Sequence, residues 1–227
     1  MTPARFRRNP VPRYRNLASL KRDLAEREGA IRARLEHFRR VGTGDDEDLF
    51  AELCFCLLAI QSPARRSDAA VRDLQASGLL WSGDVRALAG RLRHRTRFHN
   101  HKAAYIVAAR ERFFGPDGPS LRATLKRFPD AKEAREWLAQ EVDGFGYKEA
   151  SHFLRNIGRG EDLAILDRHV LRNLVRHGVL PRLPASLSPR RYLAIEAKAR
   201  ALADHLGVSL GALDLLLWSR ETGEIFK

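Results

Sequence analysis

Lys148 stands in GFGYKEASHF, two residues after the second of two glycines that flank a phenylalanine. A lysine amine is a nucleophile only when deprotonated, and burial, nearby positive charge or a helix N-terminus lowers its pKa. The segment reads as a hairpin running into a helix, with Lys148 in the first turn, so an arginine-rich chain can offer all three. One more positive charge is the plainer reading. Asp167 follows 19 residues later (167 − 148) in LAILDRHV, after an apolar run and before Arg168 and His169. A carboxylate so placed can cap the next helix. It can also offset cationic charge developing on a sugar ring and help move protons. Both roles stand open on the spacing alone.

The elements that must position these residues are helical almost throughout. Apolar residues recur at three- and four-residue spacing over 17–38, 64–76, 84–92, 99–114, 121–128 and 130–142. DLFAELCFCLLAI at 48–60 is apolar nearly all round, which predicts a central buried helix. Turn signals in SGLLWSGD separate two of the shorter helices. Helices are predicted again at about 147–157, after LAIL, from Ser188 and Pro189 to Leu206, and from Ser209 to about Trp218. No stretch alternates long enough for a strand, so the predicted class is all-α. Residues of about 131–158 then form helix, tight hairpin and helix. Gly144 and Gly146 allow unusual backbone angles and close approach. With Phe145 and Tyr147 they would present a helix N-terminus to a phosphate, gripping nucleic acid backbone without reading sequence.

The totals agree with that partner. The 227 residues carry 41 Lys and Arg against 28 Asp and Glu, a net charge of +13. An excess this large favours phosphate-rich partners. No apolar run reaches the roughly 18–20 residues that cross a bilayer, and no membrane partner is expected. MTPARFRRNPVPRYR lacks the apolar core of a signal peptide and reads as a basic arm over 1–16. Cys54 and Cys56, the two cysteines, lie two apart on a helix, so they point in different directions and cannot staple the fold. A reducing cytoplasm is the expected location. Only seven of the basic residues are lysine, leaving 34 arginines, so each lysine stands out.

GFGYKEASHFLRNIG followed by LAILDRHVLRNL resembles the helix-hairpin-helix superfamily of DNA base-excision glycosylases. Within it, the chain is most similar to the second, archaeal-type family of 8-oxoguanine DNA glycosylase/lyases. ELCFCLLAIQSPA, RFHNHKAAYIVAAR and the ending LLLWSRETGEIFK extend the likeness from about residue 17 to the end. The resemblance implies two helical lobes with the active site between them: 17–62 plus 167–227, and 63–166. It implies Lys148 as nucleophile and Asp167 as its partner. It implies Trp218 stacking on a flipped damaged base and Lys227 contacting it. Gln61 and Ser62 would read the base edge, Phe98 would wedge into the duplex, and Arg168 and His169 would meet the backbone.

The implied reaction is excision of 8-oxoguanine and cleavage of the abasic strand through a lysine Schiff base, without metal or other cofactor. The implied partner is double-stranded DNA containing 8-oxoguanine or abasic sites, bound by a monomer at the nucleoid. An endonuclease III-like enzyme for oxidised pyrimidines would share Lys148 and Asp167. Two cysteines cannot supply the four-cysteine iron–sulfur cluster common in that family, and the Trp218–Lys227 ending favours the first family. A non-catalytic helix-hairpin-helix protein explains the charge and the hairpin but not the lysine–aspartate pair.

Overall fold

The structure, a computed structural model, describes residues 14–116 and 118–227. Most of the expected basic arm therefore lies outside the described residues. Its end does not: Arg15 exchanges hydrogen bonds with His177, its N–H reaching the His177 carbonyl at 2.9 Å while its carbonyl meets Nδ1 of that ring at 2.9 Å.

Among the described residues there are twelve helices and no strand, as expected for an all-α chain. The chain opens with α1 (Leu17–Thr43) and α2 (Asp46–Leu58), followed by α3 (Ala64–Ala76), α4 (Leu79–Ser82), α5 (Val85–Leu92) and α6 (His99–Phe114). Next come α7 (Leu121–Lys126), α8 (Ala131–Glu141), α9 (Tyr147–Asn156), α10 (Arg168–Arg176), α11 (Pro189–Leu206) and α12 (Leu210–Thr222). The expected turn at 77–84 contains the single helical turn α4, entered through Gly78 at φ +72°.

Local chemistry explains the boundaries. Asp45, Asp84, Ser120, Asp130, Asp167, Ser188 and Ser209 each accept a backbone N–H of the helix they precede. Such caps contribute about 1 kcal/mol each by satisfying donors that the helix itself leaves free. Three acids in the first turn of α2 also suit the positive end of its dipole.

Two apolar clusters make the core. One gathers α2 through α9 and Phe226; the other gathers α1, the 164–166 approach and α10 to α12. The sequence-based division grouped 17–62 with the terminal helices. The side chains of Leu49 to Leu58, however, are buried among those of the central helices. That follows from the apolar circumference of α2, which needs partners on every side, whereas amphipathic α1 needs one face covered. Cys54 and Cys56 are free and fully buried in this helix. Helix α9 joins the clusters: Ala150, Phe153 and Leu154 lie in the first, while Tyr147 packs against the second.

Candidate active site

The hairpin at 143–146 works through Gly144. Its φ of +84° is a conformation side chains rarely adopt, and a Cβ there would lie 2.5 Å from Cδ2 of Tyr105. Gly146 is different: its φ of −118° is open to any residue, and an added Cβ would make only an ordinary 3.5 Å contact with Glu149. Its N–H donates to Glu149 Oε2 at 3.3 Å, which settles the first turn of α9. Phe145 is buried and packs against Phe153 at 6.3 Å between ring centroids. Its expected contact with DNA is thus limited to backbone, because the turn needs an apolar anchor beneath it. Tyr147 is half-buried: its ring stacks edge-on against Tyr192 while its hydroxyl bonds the exposed Glu136.

Lys148 is the second residue of α9, with a side chain 23 % exposed and Nζ 3.3 Å from Glu149 Oε1. It faces a cavity of about 920 Å³. His152 and Arg155, one and two turns on, share that face and also line the cavity. Burial holds the His152 imidazole well below the ordinary histidine range, and Arg155, Lys148 and Lys227 push it further. Its ring packs edge-on against Phe55, and neither ring nitrogen has a side-chain partner among the described residues.

Asp167 enters the same cavity as the N-cap of α10, accepting the Val170 N–H at 2.7 Å. The two roles left open by the spacing are therefore compatible: one carboxylate caps the helix and borders the cleft. Its approach is pinned from α11. Glu196 accepts the Ala164 N–H at 2.8 Å, and the Tyr192 hydroxyl donates to the Ala164 carbonyl at 2.6 Å. Arg135, also buried, donates to Glu196 at 2.6 Å and so couples this loop to α8.

Asp214 of α12 completes the cavity floor, 3.4 Å from the Arg155 guanidinium. Burial pushes its carboxyl up to about 7; Asp167 adds to the rise, and Arg155 and Lys148 oppose it.

The expected base-reading residues divide. Trp218 is half-buried on α12, lines the cavity and packs against the central cluster. Gln61 is exposed at the mouth with a strained φ of +50°. Ser62 also lines the cavity, but its hydroxyl lies 2.9 Å from Thr96 Oγ1 and accepts the Arg97 N–H at 3.1 Å, so it is engaged inside the fold. Phe98 is 50 % exposed at the start of α6, again with positive φ. Its neighbour Arg97 lines the cavity, whereas Phe98 projects beside it. Arg168 and His169 lie at the rim.

Lys227 lines the cavity, as expected, and its side chain is engaged within the fold. Its ammonium lies 2.8 Å from Glu52 and 3.0 Å from Asp68. Burial pulls this amine down, yet Glu52 and Asp68 outweigh that and hold it above its ordinary value. Two carboxylates this close offset the cost of taking the ammonium out of water.

Sequence reasoning passed over Glu52, Lys102, His152, Arg155 and Asp214. The available signal was a lone charge in an apolar helix: Glu52 in LFAELCFCLL and Asp214 in GALDLLLW. Such residues are rarely buried without a partner. The partners lie 104 residues away for Glu52, at Asn156 (2.6 Å), and on α9 for Asp214.

An all-α, basic chain whose glycine hairpin delivers a lysine to the cleft between two helical cores has the helix-hairpin-helix DNA glycosylase fold. A family model described as 8-oxoguanine DNA glycosylase matches residues 31–208. The chain is 39 % identical over 198 residues to the 8-oxoguanine DNA glycosylase/AP lyase of Fusobacterium nucleatum, covering 87 % of this chain and 91 % of that one. It is 40 % identical to the protein of the same description from Korarchaeum cryptofilum, over 87 % of this chain and 90 % of the relative. The crystal structure of the 8-oxoguanine DNA glycosylase of Thermotoga maritima superposes with a TM-score of 0.83 at 38 % identity, over 93 % of this chain and 98 % of the other. The Methanocaldococcus jannaschii 8-oxoguanine glycosylase/lyase, solved with a 15mer DNA containing 8-oxoguanine, gives 0.81 at 31 % identity, over 92 % of this chain and all of that one. The chain belongs to the 8-oxoguanine DNA glycosylase family.

Proposed function

We propose that this protein excises 8-oxoguanine from double-stranded DNA and then cleaves the abasic strand. One observation carries the reading: Lys148, Asp167 and Trp218, from three separate helices, border one cavity. At about 920 Å³ it falls within the range of pockets that enclose a ligand of nucleotide size.

A base stacked in a duplex is out of reach, so the nucleotide must flip into the cavity. The Gly144 hairpin holds backbone, and arginines at the rim add counter-charge. Phe98 is the exposed apolar side chain available to fill the vacated stack, and Trp218 supplies a stacking face. The Lys148 amine then attacks C1′ as the bond from C1′ to the base nitrogen breaks, and the base leaves with that electron pair. Asp167 offsets the positive charge on the sugar. Opening of the sugar ring gives a Schiff base between Nζ and C1′. Loss of a C2′ proton drives electrons toward the imine and expels the 3′ phosphate. Hydrolysis frees the lysine. The protein acts as a monomer at the nucleoid of a reducing cytoplasm.

Borohydride trapping tests the reading. The native protein is expected to form a covalent adduct with an 8-oxoguanine duplex, and Lys148→Gln none, while both bind DNA with a steep salt dependence. A preference for thymine glycol over 8-oxoguanine would sink the substrate assignment. A native protein that binds but never traps would reduce the chain to a binding module.

A further inference from the structure

We propose that Lys102 is a positioning residue for lesion recognition: its ammonium fastens the loop after α2 to the turn before α6 and so places Gln61 at the cavity mouth and Phe98 beside it. Lys102 lies in the first turn of α6 and is 1 % exposed. Its Nζ meets four oxygens: the Leu58 carbonyl at 2.8 Å, the Ile60 carbonyl at 2.7 Å, Thr96 Oγ1 at 2.7 Å and Ser62 Oγ at 3.1 Å. Two belong to the end of α2 and its loop, one to Ser62 beyond it, and one to the turn before α6.

The chemistry of the acceptors explains a buried ammonium. The last carbonyls of a helix have no partner within it and carry the negative end of its dipole. No basic residue of α2 itself covers that end. Lys102 supplies the missing charge from a different helix. Three donors on a compact head suit oxygens that converge from several directions, which a flat guanidinium would not. In a chain with 34 arginines and seven lysines, that geometry gives a reason for a lysine here.

Both segments are conformationally strained. Gln61, His94 and Phe98 all sit at positive φ, between +50° and +65°. Non-glycine residues hold such angles only when their surroundings over-determine them. The clamp is that surrounding: Thr96 Oγ1 also reaches the Leu58 carbonyl at 3.1 Å, and Ser62 bonds both Thr96 and the Arg97 N–H. Burial, then Lys148 and Arg97, pulls the Lys102 amine down to about 8, so it is mostly charged at neutral pH.

The inference rests on the glycosylase reading, and the test keeps the two apart. Lys102→Met preserves length and removes the charge. Single-turnover excision of 8-oxoguanine is expected to fall about 100-fold, the scale of a misplaced recognition group. Cleavage of a preformed abasic site, which needs no base in the pocket, is expected to fall far less. Hydrogen exchange should quicken at 59–62 and 95–98 and stay unchanged in α12. In a double-mutant cycle, Gln61→Ala should absorb much of the Lys102→Met loss, because both act through one loop. If Lys102→Met does not fold, Thr96→Val removes one partner, with an expected loss of about 10-fold in excision. Equal loss in both assays, uniformly faster exchange, or full additivity with Gln61→Ala would overturn the proposal. A native protein that excises no 8-oxoguanine would instead defeat the glycosylase reading and leave the exchange result to judge the clamp.

Discussion

Asp167 caps α10 and, in the proposed reaction, offsets charge on the sugar, two jobs that substitution can separate. Its carboxylate accepts the Val170 N–H at 2.7 Å, so removing every acceptor, as in Asp167→Ala, should cost the cap energy of about 1 kcal/mol. For a chain of this length that is a fall of about 2–4 °C in Tm. Asparagine caps a helix about as well as aspartate does. Asp167→Asn should therefore melt within about 1 °C of the native protein on the same scale. The chemistry should behave differently. Asparagine carries no negative charge and takes up no proton, so single-turnover excision should fall by about 100-fold or more. A fall of 100 to 10,000-fold is a barrier increase of roughly 3–5 kcal/mol. The assay pairs thermal melting with excision of 8-oxoguanine from a duplex at saturating protein. The expected pattern is a stable, slow Asp167→Asn and a less stable, equally slow Asp167→Ala. An Asp167→Asn protein with native excision rates would show that the residue is a cap and nothing more.

Three further outcomes follow from the same geometry. Removing Lys227 leaves Glu52 and Asp68 without their shared cation. Urea unfolding should show a loss of roughly 3–5 kcal/mol, the usual cost of stranding a buried charge, largely restored by Glu52→Gln with Asp68→Asn. An unchanged midpoint on deletion would mean the ammonium is not held there. Gly144→Ala should cost about 1–2 kcal/mol from its backbone angle alone, more from the close contact with Tyr105, and weaken DNA binding. Gly146→Ala should leave stability within about 0.5 kcal/mol; equal losses at the two glycines would contradict the hairpin geometry.

Asp214 sets a pH dependence. Its folded carboxyl keeps a proton up to about 7, while the unfolded one releases it near 3.8. The folded state then binds more protons between those values, so this group's contribution is full below about pH 4 and fades as pH rises through 7. Native protein should lose stability relative to Asp214→Asn over that window, measured as urea midpoints at several pH values. A difference that stays flat, or grows in the opposite direction, would refute the assignment.

Much of the site was legible because it is local. The glycine hairpin, the lysine one residue past it and the aspartate capping the next helix are all written within 24 residues, 144–167. Hydrophobic periodicity, caps and turn residues act over a few positions, so the class and most helix boundaries could be read from order alone, whereas the roles of Lys148 and Asp167 came from the family resemblance. Composition likewise announced a phosphate-rich partner, because net charge does not depend on folding.

What the sequence could not decide was where long side chains end. Lys227, Ser62 and Phe145 were sensible candidates for DNA contact. The fold buries Phe145 beneath its turn and engages the Lys227 ammonium with an acid pair and the Ser62 hydroxyl with a hydroxyl network, while Ser62 and Lys227 still line the cavity. The membership of α2 in the central cluster was equally hidden, since a helix apolar on all sides does not say which neighbours will cover it. Glu52, Asp214 and Lys102 find their partners across dozens of residues or between helices. Desolvation and pairing depend on atoms brought together only in three dimensions. The sequence by itself thus determined the helices, the charge and the local placement of Lys148 and Asp167, while the tertiary structure decided which polar groups border the cavity and which are used in holding the cleft.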